Sequence, residues 1–295
     1  MSRKLIVILG PTASGKSELA VKIAKRFNGE IISADSRQVY QGLDIGTGKI
    51  TKKETQSIPH YLLDVASPKR RFTIVQYRKL AIRIINKILK KGKLPIICGG
   101  TGFYIQAVVD GIIIPEVKPD WKLRKKLEKK TLEELFKDLK KLDPKRAKTI
   151  EKKNKRRLIR ALEIIIKTKK PIPVFQKKPL PYPVLIIGIK KEKLKKLIER
   201  RFLKWLRKGL IKEVKKLKKF GLSWKKIEEF GIHYRIIAQY LQRKISYKEM
   251  VENSLKELRN YAKRQITWFK RDKRIHWIKN RKEAENLVKE FWKTK

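Results

Sequence analysis

The chain is poor in the residues that would open several classes of chemistry. Its 295 residues include one cysteine, Cys98, so no disulfide can form within the chain, as suits a reducing compartment. That thiol and three scattered histidines leave no zinc-binding spacing. Acids are scarce: 28 Asp plus Glu face 79 Lys plus Arg, for a net charge of +51. Such a chain repels itself and needs a polyanion or counterions, and nucleic acid is the leading partner class. Base composition or growth at high temperature also raises lysine content. No apolar run approaches the roughly 20 residues that span a bilayer, and the basic residues are spread over helices, so no membrane partner is expected. The first apolar run is too short for a signal peptide and leads directly into a glycine loop, so a cytoplasmic protein is expected. Hydrophobic residues make up 41%, enough for one large domain or two modest ones with real cores.

What is present centres on Gly10-Pro11-Thr12-Ala13-Ser14-Gly15-Lys16-Ser17, which fits G-x-x-x-x-G-K-[ST] at every fixed position. The run from Lys4 to Leu9 before it reads as a buried strand, and Glu18 to Lys25 after it has apolar residues at helical spacing. In that context the glycines let several N–H groups converge on one anion, and the helix N-terminus adds partial positive charge. Lys16 supplies a full charge to phosphate oxygens, and the Ser17 hydroxyl is placed to hold Mg²⁺. A phosphate site alone does not choose between a kinase, an NTPase and a transferase with a diphosphate leaving group.

Further along, Glu30 to Ala34 reads as a second strand ending at Asp35. In an open α/β sheet that end lies on the same rim as the glycine loop. Asp35 reads equally as a ligand-facing carboxylate and as a helix N-cap. Leu43 to Lys49 is a polar glycine-containing loop, and Asp64 after Tyr61-Leu62-Leu63 reads as a solvated strand-end acid. Thr73 to Lys91 forms an amphipathic helix closed by Gly92. Leu94 to Cys98 is another strand, running into Gly99-Gly100-Thr101-Gly102, a second glycine turn before a helix. Cys98 reads as a small core residue.

After Val109 the character changes. Asp110 to Pro119 reads as a linker, Trp121 to Thr168 as a very basic helical stretch, and Pro171 to Pro183 as an irregular break with five prolines. Val184 to Ile189 then reads as a buried strand returning to the sheet. The expected architecture is therefore α/β: a P-loop parallel-sheet core flanked by helices (residues 1–109 plus 184–295) with an inserted small all-helical domain (110–183) and a helical C-terminal region. Within the insertion, Leu158, Leu162 and Ile165 form a packed face. Arg156 and Arg160 are i, i+4 neighbours with Arg157 beside them, so an anion between them would relieve repulsion, although a solvated basic face fits too. Arg201 falls on or beside the apolar stripe of the helix from Glu192 to Lys208 and needs a carboxylate or a phosphate as partner. On the longest expected helix, Ser246 to Arg271, residues including Leu258, Gln265, Ile266 and Phe269 form the buried face. Lys263, Arg264, Thr267, Trp268, Lys270 and Arg271 fall largely elsewhere, a basic surface with an exposed aromatic that suits RNA.

The ordered set of Gly10 to Ser17, Asp35 to Tyr40, Asp44 to Thr47, Pro59 to Asp64, Gly99 to Tyr104, Lys155 to Glu163, Phe230 to Arg235 and Lys263 to Phe269 resembles the tRNA dimethylallyltransferase (tRNA isopentenyltransferase) family from about Lys4 to about Trp277. The resemblance implies transfer of a dimethylallyl group from dimethylallyl diphosphate to the exocyclic amine of the adenine immediately 3′ of the anticodon in tRNA. It implies that the glycine loop holds the diphosphate with Mg²⁺ at Ser17. Asp35 would be the general base, with Thr101, Lys16 and Arg201 completing the catalytic set and Arg201 on the diphosphate. Its tRNA-contacting segments correspond to Asp35, Ser36, Arg37, Gln38 and Thr101; to Arg156, Arg157, Leu158, Ile159 and Arg160; to Phe230, Gly231, Ile232, His233, Tyr234 and Arg235; and to Lys263, Arg264, Gln265, Ile266, Thr267, Trp268, Phe269 and Lys270. His233 departs from the glycine usual before that tyrosine in bacterial relatives. The rivals are an adenylate isopentenyltransferase, which would not need the basic insertion, a P-loop small-molecule kinase, and a non-catalytic RNA-binding protein. A monomer is the default expectation.

Overall fold

The computed structural model describes residues 3–112, 117–172 and 178–293. The parts of the two proline-containing breaks at 113–116 and 173–177 lie outside the described residues. In chain order the first elements are β1 (Leu5–Leu9), α1 (Lys16–Arg26), β2 (Gly29–Ser33), β3 (His60–Tyr61), α2 (Ile74–Lys90), β4 (Leu94–Gly99) and α3 (Gly102–Val109). Four helices follow: α4 (Trp121–Glu128), α5 (Leu132–Leu142), α6 (Pro144–Thr149) and α7 (Lys155–Thr168). The chain continues with β5 (Val184–Ile189), α8 (Leu194–Arg207), α9 (Leu210–Lys219), α10 (Trp224–Glu228), α11 (Ile232–Leu241), α12 (Tyr247–Phe269), β6 (Ile275–Ile278) and α13 (Arg281–Lys293).

The strands form one parallel sheet in the order β3-β2-β4-β1-β5-β6. Its central strands are continuous apolar runs because both faces are covered. Leu5, Val7 and Leu9 of β1 face a core with α2, α3 and α8 to α12, while Ile6 and Ile8 face a second core with α1 and α13. A parallel sheet puts all its strand C-termini on one rim, and the segments after β1, β2 and β4 emerge there together. Helix starts are fixed locally: Thr73 with Gln76, and Ser246 with Glu249, form reciprocal capping boxes at α2 and α12. Among the described residues no helix is long and apolar enough to cross a membrane.

The chain divides into two compact units, residues 1–110 with 179–295, and residues 111–178. Residues 179–183 stay with the sheet because the Pro183 carbonyl accepts the Leu5 N–H at 3.1 Å and Leu180 and Tyr182 pack on its core. In the smaller unit Asp120, Thr131, Asp143 and Asn154 each cap a helix, around a core that includes Leu135, Leu139, Leu158 and Leu162. Glu163 is fully buried there. Its carboxylate accepts from Arg124 at 2.8 and 2.7 Å, from the Asp120 N–H at 2.7 Å, and from Arg160. Burial alone would raise its pKa, but these donors pull it down to about 2.

Candidate active site

The turn after β1 is built for an anion. Ala13 and Gly15 both have left-handed backbone, at φ 63° and 86°, the kind of turn in which neighbouring N–H groups converge on one anion. Gly10 is needed for packing, since a Cβ there would lie 2.7 Å from Ser14 Oγ. Lys16 folds back over the loop and donates to the Pro11 carbonyl at 3.3 Å. Burial lowers the pKa of its ammonium, helped by Arg201 and opposed by Cys98 and Asp35. Cys98 lies beneath, its thiol pushed up to about 11 by burial, so it stays neutral as a core residue.

Asp35 follows β2 and caps no helix. One carboxylate oxygen accepts the Arg37 N–H at 2.9 Å, closing a tight turn, and among the described residues it makes no ion pair. The neighbouring strand end is pulled close: Thr101 donates its N–H to the Ala34 carbonyl at 3.1 Å, and its Oγ1 accepts the Ser36 N–H at 3.1 Å. Gly99 permits this approach, because a Cβ there would be 2.2 Å from the Ala34 oxygen. The half-buried Arg201 stands on α8 with its guanidinium over the Trp205 ring, 4.7 Å from the centroid. Burial lowers its pKa, while Asp35 and then Glu54 favour its charge.

These groups meet in one cavity of about 480 Å³, lined by Thr12, Lys16, Ser17, Asp35, Thr101 and Arg201 among others. Ser36, Arg37, Gln38, Thr47, Arg264 and Gln265 complete its polar wall; Gly46, Trp205, Phe230, Gly231, Ile232, His233, Tyr234, Leu258 and Tyr261 form the rest. A second cavity of about 600 Å³, bordered by Lys22, Lys49, Lys204 and Lys208, shares Lys16, Ser17, Arg201 and Trp205 with the first. Two openings therefore meet at Lys16 and Arg201.

Other residues singled out from the sequence are placed differently. Lys263, Arg264 and Thr267 are exposed on α12 and Lys270 at its C-cap, but Trp268 is half-buried, packed where a Cβ on Gly102 would come within 2.4 Å of its ring. Phe269 is buried in the core and Ile266 is half-buried, and Arg235 is exposed beside Glu257 at 3.7 Å. In the helical unit Arg156 and Arg157 are exposed, whereas Leu158 and Ile159 are core. Arg160 already has its anion in Glu163 and also donates to the Val117 carbonyl at 2.9 Å, so no external anion is needed to relieve its repulsion with Arg156. Asp64 lines neither cavity and pairs with Lys49 at 2.5 Å. The sequence reading missed Glu213 of α9, which holds the loop carrying Gly46 and Thr47. Its signal was an acid on the same helical stripe as Leu210, Val214 and Leu217.

A profile of the IPP transferase family matches residues 38–272. The chain belongs to the IPP transferase family. It is 45% identical over 284 residues to the tRNA dimethylallyltransferase of Acetivibrio thermocellus, covering 93% of this chain and 91% of that protein. With the enzyme of that name from Carboxydothermus hydrogenoformans it shares 41% identity, covering 98% and 96%. The crystal structure of tRNA isopentenylpyrophosphate transferase from Bacillus halodurans superposes with a TM-score of 0.73 at 36% identity, covering 97% of this chain and 96% of that one. A eukaryotic dimethylallyltransferase solved acting on tRNA gives a TM-score of 0.76 at 29% identity, over 90% of this chain and 70% of that one. Membership agrees with the parallel P-loop sheet and with the cavity at its rim.

Proposed function

We infer that this protein transfers a dimethylallyl group from dimethylallyl diphosphate to the N6 amine of the adenine 3′-adjacent to the anticodon of tRNA, giving N6-dimethylallyladenosine and diphosphate. The observation that carries the reading is the convergence of Lys16, Ser17 and Arg201 with Asp35 in a single cavity. The cations suit a diphosphate, and the carboxylate suits an amine that must lose a proton.

In the reaction the allylic C–O bond to the diphosphate breaks and a C–N6 bond forms. Positive charge on the allylic carbon is delocalised, so the larger demand is for stabilising the leaving diphosphate. The loop N–H groups, Lys16 and Arg201 meet that demand from fixed positions. The amine is a weak nucleophile because its lone pair is shared with the ring. Asp35 accepts a hydrogen bond from it, orients it and takes its proton, help worth about 10²–10⁴ in rate. Among the described residues no group of three or more His, Cys, Asp or Glu could hold a metal alone. Mg²⁺ fits nonetheless, because it takes one or two protein oxygens alongside phosphates and water, and Ser17 lines the cavity with a hydroxyl to offer. Bound there, it would neutralise charge on the leaving group.

Drawing the adenine from its stack costs a few kcal/mol. Exposed Lys263, Arg264 and Lys270, with Arg156 and Arg157 of the helical unit, offset that by contacts to RNA phosphates. Every group assigned lies in one chain, so a monomer suffices. The test is incubation with radiolabelled dimethylallyl diphosphate, Mg²⁺ and bulk tRNA, followed by digestion to nucleosides. Label should appear in one modified adenosine. Labelled AMP with unlabelled tRNA, or ATP consumption without prenyl transfer, would overturn the reading.

A further inference from the structure

Arg201 is held without being bonded. Among the described residues its guanidinium makes no hydrogen bond or ion pair; it lies over Trp205 and against Gly48, where a Cβ would fall 1.9 Å from Nη2. Packing fixes the group and leaves its N–H donors for a ligand, so the placement of Gly48 decides where those donors point. Gly48 belongs to the loop of residues 43–49, which has no helix or strand of its own.

Glu213 holds that loop. Its buried carboxylate accepts the N–H groups of Asp44, Ile45 and Gly46 at 2.9, 2.6 and 3.1 Å, and the Tyr234 hydroxyl at 2.7 Å. Three consecutive N–H groups form a nest, and here a side chain fills it. Gly46 is pressed between this carboxylate and the ring of Tyr234, which a Cβ would approach to 2.7 Å. From the other side Gln38 Nε2 donates to the carbonyls of Thr47 and Gly48 at 3.2 and 3.3 Å. The loop is thereby set between α9 and the Asp35 turn, with Arg201 resting on it.

We propose that Glu213 is a positioning residue for the transfer, fixing through the 44–48 backbone the site at which Arg201 meets the diphosphate. The inference rests on the reading of the cavity as a diphosphate site. Glu213→Gln keeps the shape but turns a donor toward donors. It lowers kcat/KM for dimethylallyl diphosphate by up to about 10²-fold, the cost of misplacing a reacting group by an ångström, and leaves KM for an anticodon stem-loop within about twofold. Tyr234→Phe, which removes one bond to the carboxylate and leaves the backbone untouched, moves the same parameter in the same direction by less. The deciding measurement is a double-mutant cycle with Arg201→Ala, each variant corrected for its folded fraction by circular dichroism. If Glu213 acts through Arg201, Glu213→Gln costs nothing further once Arg201 is gone. Additive losses, or a lowered Tm with unchanged donor kinetics, overturn the proposal. Absence of prenyl transfer by the unaltered protein would instead defeat the functional reading itself.

Discussion

Gln265 Oε1 accepts the backbone N–H of Thr12 at 2.9 Å, across 253 positions of sequence. The same side chain donates from Nε2 to the Gly100 carbonyl at 2.9 Å, so one buried amide on α12 ties together the glycine turns after β1 and β4. The resemblance suggested an RNA contact for Gln265; the structure gives it a strut, on the wall of the cavity. Gln265→Ala leaves a backbone donor and acceptor without their partner and should cost about 2–3 kcal/mol. Urea unfolding reads this loss, and transfer falls with it because the phosphate loop loses its tether. Unchanged stability would show that water replaces the amide freely.

Asp35→Asn keeps the oxygen that closes the turn on Arg37 and removes the carboxylate proposed as the base. Turnover should fall by about 10²–10⁴, with stem-loop affinity nearly unchanged. Single-turnover kinetics at saturating donor separate the chemical step from binding. Near-normal turnover would mean that another group takes the amine proton.

Much of this site was legible because β1, β4 and β5 are buried on both faces and write themselves as unbroken apolar runs. The glycine loop declares its own geometry. The meeting of Asp35 with Thr101 was less accessible: it needs β2 and β4 to be neighbours, which is a matter of strand order and not of local pattern. Trp268 read as exposed because periodicity places it off the apolar stripe, yet Gly102 opposite leaves room for its ring. Glu213 showed in the sequence only as an acid on an apolar stripe, since its partners, the backbone of a remote loop and the Tyr234 hydroxyl, are brought to it by tertiary packing.

His233 makes stability depend on acid. Burial pushes its pKa down to about 4, against a backbone contact with Gly46 that favours the charged ring, and Arg201 and Arg37 add repulsion. An unfolded histidine titrates near 6.5, so below that pH the unfolded chain binds the extra proton. Stability is therefore whole above about pH 6.5 and is lost as pH falls toward 4, by about 3 kcal/mol in all. Denaturant unfolding between pH 7 and pH 4 should show this slope, and His233→Asn should remove it. Equal slopes in the two proteins would mean that the ring titrates normally.

Ser17→Ala removes the protein oxygen assigned to Mg²⁺ and leaves Lys16 and the loop backbone in place. Transfer should then need more Mg²⁺ for half-maximal rate, while chelation should suppress the unaltered enzyme. A titration of initial rate against Mg²⁺ measures both effects. Identical titrations would place the ion on the diphosphate alone.

Arg156, Arg157 and Arg160 lie on one turn of α7 but should part into two classes. Arg156 is exposed, and Arg157 pairs with Glu151 at 3.1 Å with both side chains more than half exposed, so losing that pair costs little. Replacing both with Gln should leave unfolding within about 0.5 kcal/mol of the parent. If each meets one phosphate, stem-loop binding weakens and its log–log salt slope falls by about 1 per arginine. Arg160 is committed inward: Glu163 is fully buried, and without Arg160 its charge keeps only Arg124 and the Asp120 N–H. Arg160→Gln should therefore destabilise the protein by about 2–3 kcal/mol, part of the cost of breaking a buried pair, and change the salt slope little where the protein remains folded. Fluorescence anisotropy of a labelled stem-loop across salt, set beside unfolding curves, distinguishes the two classes. A salt slope reduced by Arg160→Gln at unchanged stability would return that guanidinium to the RNA surface and leave Glu163 held by Arg124 and the Asp120 N–H.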